Sequence, residues 1–400
     1  MSANPVAAWD LRALVVAEST FGTTPTPAAA QALELINMEM GAVQVGDVRP
    51  KRDRGVGRGM QAGFVEGRVQ PIDWSIEASV KSRSAADTTP DLDVIYKAAG
   101  LKRTTSSSTS VAYTLVSAPL ETGDFASMSL QRSLGAPSVS TTSNHFAEVM
   151  RGCIAKKLAW QGGDKELTLM ASGAGIAKLT CGSIDSATVA DNSTTSVTIS
   201  ADDSYKVIAG MYMQWESEII LISAVTRGAT TMTITRGALS STAAAHSAKP
   251  IYPYYPASGV SFSGSPISEV VSTVTIGGDA YRCLSFGIEL STGLEHIPGE
   301  TGSQYSQGVL VKRFDVTASL KLMLKGNDVQ LAGYANSRAA VAATIVQGSG
   351  AGSINTFSLP YCEVVGFSTP APGNDVAIVD VTLRTRDNTS GNEAWAMTLT

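Results

Sequence analysis

Three histidines, four cysteines and a few glycine clusters are the residues from which this chain could build a reactive centre, and their spacing rules out most options. His145, His246 and His296 stand apart in sequence. No H-E-x-x-H pair places two imidazoles one helical turn apart for zinc, and no Asp/Asn/Gly loop offers oxygens at calcium spacing. Cys153, Cys181, Cys283 and Cys362 form no C-x-x-C pair, so buried free thiols are expected in place of a zinc site or disulfide framework. The nucleophile elbow G-x-S-x-G is absent, since Gly259-Val260-Ser261-Phe262-Ser263 lacks the second glycine. Gly55-x-Gly57-x-Gly59 and Gly348-x-Gly350-x-Gly352 miss the dinucleotide spacing, and the first leads into a strand where that fingerprint opens a helix. Asn192-Ser193-Thr194 and Asn388-Thr389-Ser390 match the glycosylation acceptor but follow no secretion signal. No enzymatic centre, metal site or cofactor is expected.

One charge cluster remains. The stretch Gly46–Gly63 carries Arg49, Lys51, Arg52, Arg54 and Arg58 against Asp47 and Asp53. It is long, glycine-rich and charged, so it is expected to extend from the body and not to pack as core. It has no aromatic residue on which a base could stack, and only a few phosphate-sized charges. Contact with an acidic surface of a neighbouring subunit is the favoured reading, with nucleic-acid contact and a merely solvated loop as its competitors.

The elements that position these residues are strands. Charged residues make up 16% of the 400 and hydrophobic ones 44%, with 37 glycines, a profile of β-rich globular structure with many turns. A net charge of −5 argues against electrostatic capture of nucleic acid. The N-terminus lacks a basic n-region with an apolar core, and no run of about 18 apolar residues occurs, so a soluble protein assembling in a cytoplasm is expected.

Ile72 to Lys81 alternates cleanly: Ile72, Trp74, Ile76, Ala78 and Val80 on one face, Asp73, Ser75, Glu77, Ser79 and Lys81 on the other. Period two over this length is a strand with one buried and one wet face. The pattern returns at Arg313–Lys325, where Val316-Thr317-Ala318-Ser319-Leu320-Lys321 lies over Ile76–Lys81 without a gap. Each strand follows a glycine-rich loop (Gly46–Gly63, Ser291–Gly308) and precedes a helical segment (Thr89–Gly100, capped by Thr89 or Asp91, and Asn327–Asn336). A duplicated domain is the expectation. Between the copies, residues 183–253 turn rich in Ser and Thr with several short strands, so a small all-β insertion is expected there. The domains expected are 1–182, 183–255 and 256–400.

The run RDRGVGRGMQAG through VEGRVQPIDWSIEASVK to TPDLDVIYKAAGL resembles the tail tube proteins of tailed bacteriophages, as do STVTIGG, GVLVKRFDVTASLKLML, VAIVDVTLRTRD and AWAMTLT in the C-terminal half. The insertion is similar to a small β module of other phage virion proteins. The resemblance implies two tandem β-sandwich/barrel domains, each with a short flanking helix, whose inner sheets join those of neighbours around a lumen. It makes Gly46–Gly63 and Ser291–Gly308 the inter-ring loops, with Arg49, Lys51, Arg52, Arg54, Arg58, Glu300, Gln304 and Tyr305 as contact residues. Asp73, Glu77, Asp315 and Lys321 become candidates for an inner, lumen-facing sheet, although their polar faces fit a subunit contact equally well. Two tube domains per chain imply trimeric, pseudo-hexameric rings, with a six-chain ring as the fallback. Expected partners are other copies of the chain, a tape measure protein, tail tip and terminator proteins, and double-stranded DNA that passes without specific binding. An outer decoration at 183–253 implies a long, non-contractile tail, assembled in the bacterial cytoplasm and carried in the virion. A secreted adhesin or carbohydrate-binding β-sandwich is the alternative.

Overall fold

The computed structural model describes residues 11–23, 25–28, 31–43, 69–116, 118–134, 146–163, 165–256, 264–267, 272–297, 305–306, 308–324, 329–368, 377–386 and 395–400. The protein is mainly β. In chain order the first strands are β1 (Leu11–Ala17), β2 (Ala32–Leu33), β3 (Asn37–Met40), β4 (Ile72–Ser79), β5 (Leu101–Ser106), β6 (Ser110–Leu115), β7 (Met128–Leu134), β8 (Phe146–Gly163), β9 (Thr168–Gly175) and β10 (Ala177–Gly182). Then come β11 (Ile184–Val189), β12 (Ser196–Thr198), β13 (Tyr212–Trp215), β14 (Glu218–Val225), β15 (Thr231–Thr235) and β16 (His246–Pro253). The last are β17 (Ser272–Ile276), β18 (Asp279–Ser291), β19 (Leu294–Ile297), β20 (Gly308–Val311), β21 (Asp315–Met323), β22 (Val341–Gln347), β23 (Asn355–Phe367), β24 (Ile378–Thr385) and β25 (Ala396–Leu399). Three short α-helices are α1 (Asp93–Ala98), α2 (Pro119–Thr122) and α3 (Gln330–Ser337).

The chain forms two compact units whose boundaries differ from the 1–182, 183–255 and 256–400 expected from sequence. One comprises residues 1–34, 128–152 and 176–261; the other comprises 35–127, 153–175 and 262–400.

In the first unit, β11, β12, β15, β14, β13 and β16 close into a six-stranded barrel, within the stretch read as an insertion. Most of its strands alternate: Met213 and Trp215, Ile220 and Ile222, and Met232 and Ile234 point inward, until a bulge after Ile222 interrupts the pattern of β14. Closure pairs every strand and leaves no edge. Ala147, Val149, Leu179 and Cys181, from the paired β8 and β10, join the barrel side chains in one apolar cluster.

The second unit holds the larger sheets. One run of hydrogen-bonded strands is β3-β4-β9-β8-β18-β21-β24-β23; a second is β17-β22-β23-β25-β6-β5. β18 and β23 belong to both because each changes partners along its length. Asp279–Arg282 pairs with β17, whereas Ser285–Ser291 pairs with β8. Asn355–Leu359 pairs with β22, whereas Glu363–Phe367 pairs with β24. Breaks in register at Cys283/Ser285 and Val364/Gly366 accompany these changes, as expected where strands pass between packed sheets. An aromatic core fills the space between the runs: Trp160 stacks on Trp395 at 5.4 Å and meets Phe357 at 5.5 Å, while Tyr96 of α1 meets Tyr113 at 4.7 Å. Among the described strands, β3 and β5 each pair on one side only.

The two aligned strands have matching surroundings. β4 lies between β3 and β9, and β21 lies between β18 and β24. Each is followed by a short helix and then by an antiparallel pair, α1 with β5–β6 and α3 with β22–β23. Ile76, Ala78 and Val80 are buried at the positions of Val316, Ala318 and Leu320.

Several local expectations change. The helix read as Thr89–Gly100 is only Asp93–Ala98, and Leu92 stands at its N-cap without a side-chain bond, so neither Thr89 nor Asp91 caps it. Its anchor is Asp93, which accepts hydrogen bonds from Tyr113 Oη at 2.7 Å and Arg103 Nη1 at 2.8 Å. Phe146–Gly163 is one continuous strand, β8, although its alternation breaks at Gly152 and the sequence there reads as two strands, His145–Met150 and Cys153–Trp160. Gly152 runs through it at φ +63°, where an added Cβ would lie 2.6 Å from Ile176. The stretch Ser291–Gly308 contributes to a hairpin, in which Leu294–Ile297 pairs with Gly308–Val311.

Candidate functional site

The four lumen candidates lie on one surface. In antiparallel pairs, residues directly opposite share a face. Glu77 lies opposite Met170, Met170 opposite Ala159, Ala159 opposite Glu289, Glu289 opposite Thr317 and Thr317 opposite Arg384. This row crosses the first run from β4 to β24, so Asp73, Glu77, Asp315 and Lys321 share a single face. None of the four is buried.

That face is mostly polar, with Met170 and Ala159 as apolar exceptions in the Glu77 row. Ser75, Ser172, Lys157 and Ser291 form one row across it; Ser79, Thr168, Gln161, Gly287, Ser319 and Thr382 form another. Carboxylates from Glu39, Asp73, Glu77, Glu289, Asp315, Glu363 and Asp380 share it with the cations Lys81, Lys157, Arg282, Lys321, Arg384 and Arg386, so the two signs are interspersed and nearly balanced. Several charges are neutralised locally. Lys157 Nζ lies 2.8 Å from Glu289, and Arg384 makes a two-pronged contact with Asp315 at 3.0 and 3.1 Å. Asp315 holds the Arg384 guanidinium above its ordinary pKa. At this exposure such pairs add little stability; their effect is to neutralise Lys157 and Arg384 locally, while Lys321 on the same face makes no ion pair among the described residues.

The hairpin β19–β20 is the second element. Leu294 and Val309 are its buried anchors, while Ile297 at 43%, Leu310 at 48% and Tyr305 at 37% stay exposed. Lys312 pairs with Glu295 at 2.6 Å along its base. Burial of Leu294 and Val309 anchors this hairpin. Glu300 and Gln304 lie outside the described residues, as do Arg49, Lys51, Arg52, Arg54 and Arg58.

One polar cluster escaped the sequence reading. In the barrel unit, the His246 ring, buried and stacked on Trp215 at 4.3 Å, has Nδ1 2.8 Å from Glu216 and Nε2 2.9 Å from Glu218. Burial of the Glu218 carboxyl opposes its ionisation. Two bonds of 2.7 Å from Arg236, the Gly237 N–H, His246 and the Ala244 N–H outweigh it and bring the pKa down to about 2. Hydrogen bonding to His246 likewise lowers Glu216. Glu and Arg lie 18 residues apart here and meet only when β14 and β15 pair, so no linear spacing announces them. With every polar atom of Glu218 and both ring nitrogens engaged, the cluster knits the barrel end and offers no open position to a substrate.

The remaining candidates are scattered and form no common centre among the described residues. All four cysteines are free, buried thiols, and burial pushes Cys181 and Cys362 up to about 12, far from thiolate reactivity. His145 lies outside the described residues and His296 is on β19. Among the described residues no group of His, Cys, Asp or Glu is arranged to hold a metal ion, and no helix is long and apolar enough to cross a membrane. No family model matches the chain, and no curated protein matches it significantly.

Proposed function

We propose that this chain is a virion structural protein that polymerises into stacked rings, forming the hollow tail tube of a long, non-contractile-tailed phage. The observation that carries the reading is the matched setting of β4 and β21: two wall strands, each held between two antiparallel neighbours and followed by helix and hairpin, present their polar sides on one common face. A tube lining must let an anionic polymer slide past. A Ser/Thr-rich face whose charges of both signs are interspersed, with Lys157, Arg384 and Arg386 each held by a carboxylate, suits that task, because a run of unpaired lysines and arginines would hold phosphates. The one-sided β3 and β5 are edges that strand pairing between copies would satisfy. Head-to-tail stacking of such rings grows a filament and not a closed cluster. In this reading three copies close a pseudo-sixfold ring. The β19–β20 hairpin and the basic stretch at 49–58 reach the next ring, and tape measure, tip and terminator proteins complete the tail.

Negative-stain microscopy of the purified protein tests this: hollow tubes or rings are expected, and discrete monomers at every concentration and salt would overturn it. Charge reversal at Arg52 and Arg54 should leave the subunit folded by circular dichroism while slowing polymerisation; unchanged tube growth removes those residues from the interface.

A further inference from the structure

β25 comes last in chain order, yet it lies inside a sheet. Ala396–Leu399 pairs with Asn355–Ser358 of β23 on one side and with Val111–Thr114 of β6 on the other. Thr400 prolongs the contact: its N–H donates to Ile354 O at 3.0 Å, and its carbonyl accepts from Gly352 N at 3.0 Å and Ile354 N at 3.1 Å. β6 has no strand partner besides β25 and β5, so among the described strands β25 alone splices the β5–β6 hairpin into the sheet. Without it, β6 and β23 would be two raw edges separated by roughly 10 Å, twice the spacing of neighbouring strands. The gap selects by side chain as well as by backbone. Trp395, Met397 and Leu399 are all buried, with Trp395 stacked on Trp160 and 6.5 Å from Phe357. Ala396 and Thr398 sit on the other side, half-buried.

We propose that the gap between β6 and β23 is a strand-acceptor site, filled here by residues 395–400, and that it binds in their place a short peptide with large apolar side chains at alternate positions, an indole first. Main-chain hydrogen bonds on both sides supply affinity, and the inward pockets supply register. Occupancy is what pairs the β5–β6 hairpin to the rest of the sheet, beyond its side-chain ties to α1. This inference stands whether or not the chain builds a tube.

The test keeps the full chain during folding. A recognition sequence for a site-specific protease is placed within 388–393 and cut only after the protein has folded. The cut protein is then incubated with a fluorescent hexapeptide of the sequence Trp-Ala-Met-Thr-Leu-Thr. Uptake of the label is expected, whereas a peptide with the apolar residues moved by one position should not enter. Washing the peptide out should speed amide exchange at Val111–Leu115 by about a hundredfold, with less than about threefold change in β9. Failure to take up the label, or hairpin exchange indifferent to it, overturns the proposal. Trp395→Ala in the uncut chain is the second arm. Faster exchange concentrated in β5, β6 and the start of β23 is expected, and a uniform rise across the unit would reduce Trp395 to an ordinary core residue.

Discussion

β4 and β21 keep the same company, but the helices that follow them do not. α1 is embedded: Ile95, Tyr96 and Ala98 are buried, Tyr96 lies against Tyr113 and Trp160, and Asp93 is tied to two side chains of the next hairpin. α3 buries only Leu331 and leaves the Val329 before it 78% exposed. Its other anchor is Tyr334, whose ring closes over Gly277 in the β17–β18 turn, where an added Cβ would lie 2.4 Å from the hydroxyl. A strand paired on both sides and buried on one face is constrained by every neighbour at once. A helix laid over such a sheet is constrained along one stripe. Divergence between two similar halves is therefore cheapest in the helices, and that is where these halves differ.

Four substitutions can break or sharpen the contrast. Tyr96→Ala should cost the most, about 3–5 kcal/mol, because it opens a cavity beside Trp160 and Tyr113; urea unfolding followed by tryptophan emission reads it. Leu331→Ala in α3 should cost about 2 kcal/mol, less than its counterpart because less of α3 is packed; an equal or larger loss would show that α3 is as deeply anchored as α1. Tyr113→Phe removes the phenol donor to Asp93 but leaves Arg103 in place, for a loss of about 1 kcal/mol in thermal unfolding. Val329→Ser should fall within about 0.5 kcal/mol of the parent, and a clear destabilisation would mean that this exposed valine is covered.

How far the sequence reveals all this depends on whether the pattern is local. The alternation at Ile72–Lys81 and its echo at Val316–Lys321 are legible because a wet and a dry face leave period two in the residue types themselves. The buried knot of Glu218, Arg236 and His246 is not, because its members come from β14, from the residue just after β15 and from β16, and meet through pairing alone. β8 looks like two strands because Gly152 interrupts its alternation, although the backbone continues through the glycine. The hairpin at Leu294 and Val309 hides inside a Gly/Ser-rich stretch whose composition suggests a loop. The common face of Asp73, Glu77, Asp315 and Lys321 is an intermediate case. Parity along each strand is readable, but whether two such faces coincide depends on the chain of registers through β9, β8 and β18.

The barrel in the first unit has a consequence for the company such a protein keeps. A ring of strands has no outermost member, so it exposes no row of vacant amides on which a stray polypeptide could crystallise into a ladder. Whatever meets the module must meet it through side chains, such as the outward Tyr205. Those contacts are rewritten one residue at a time, so the module's surface is free to drift without inviting fibrous misassembly.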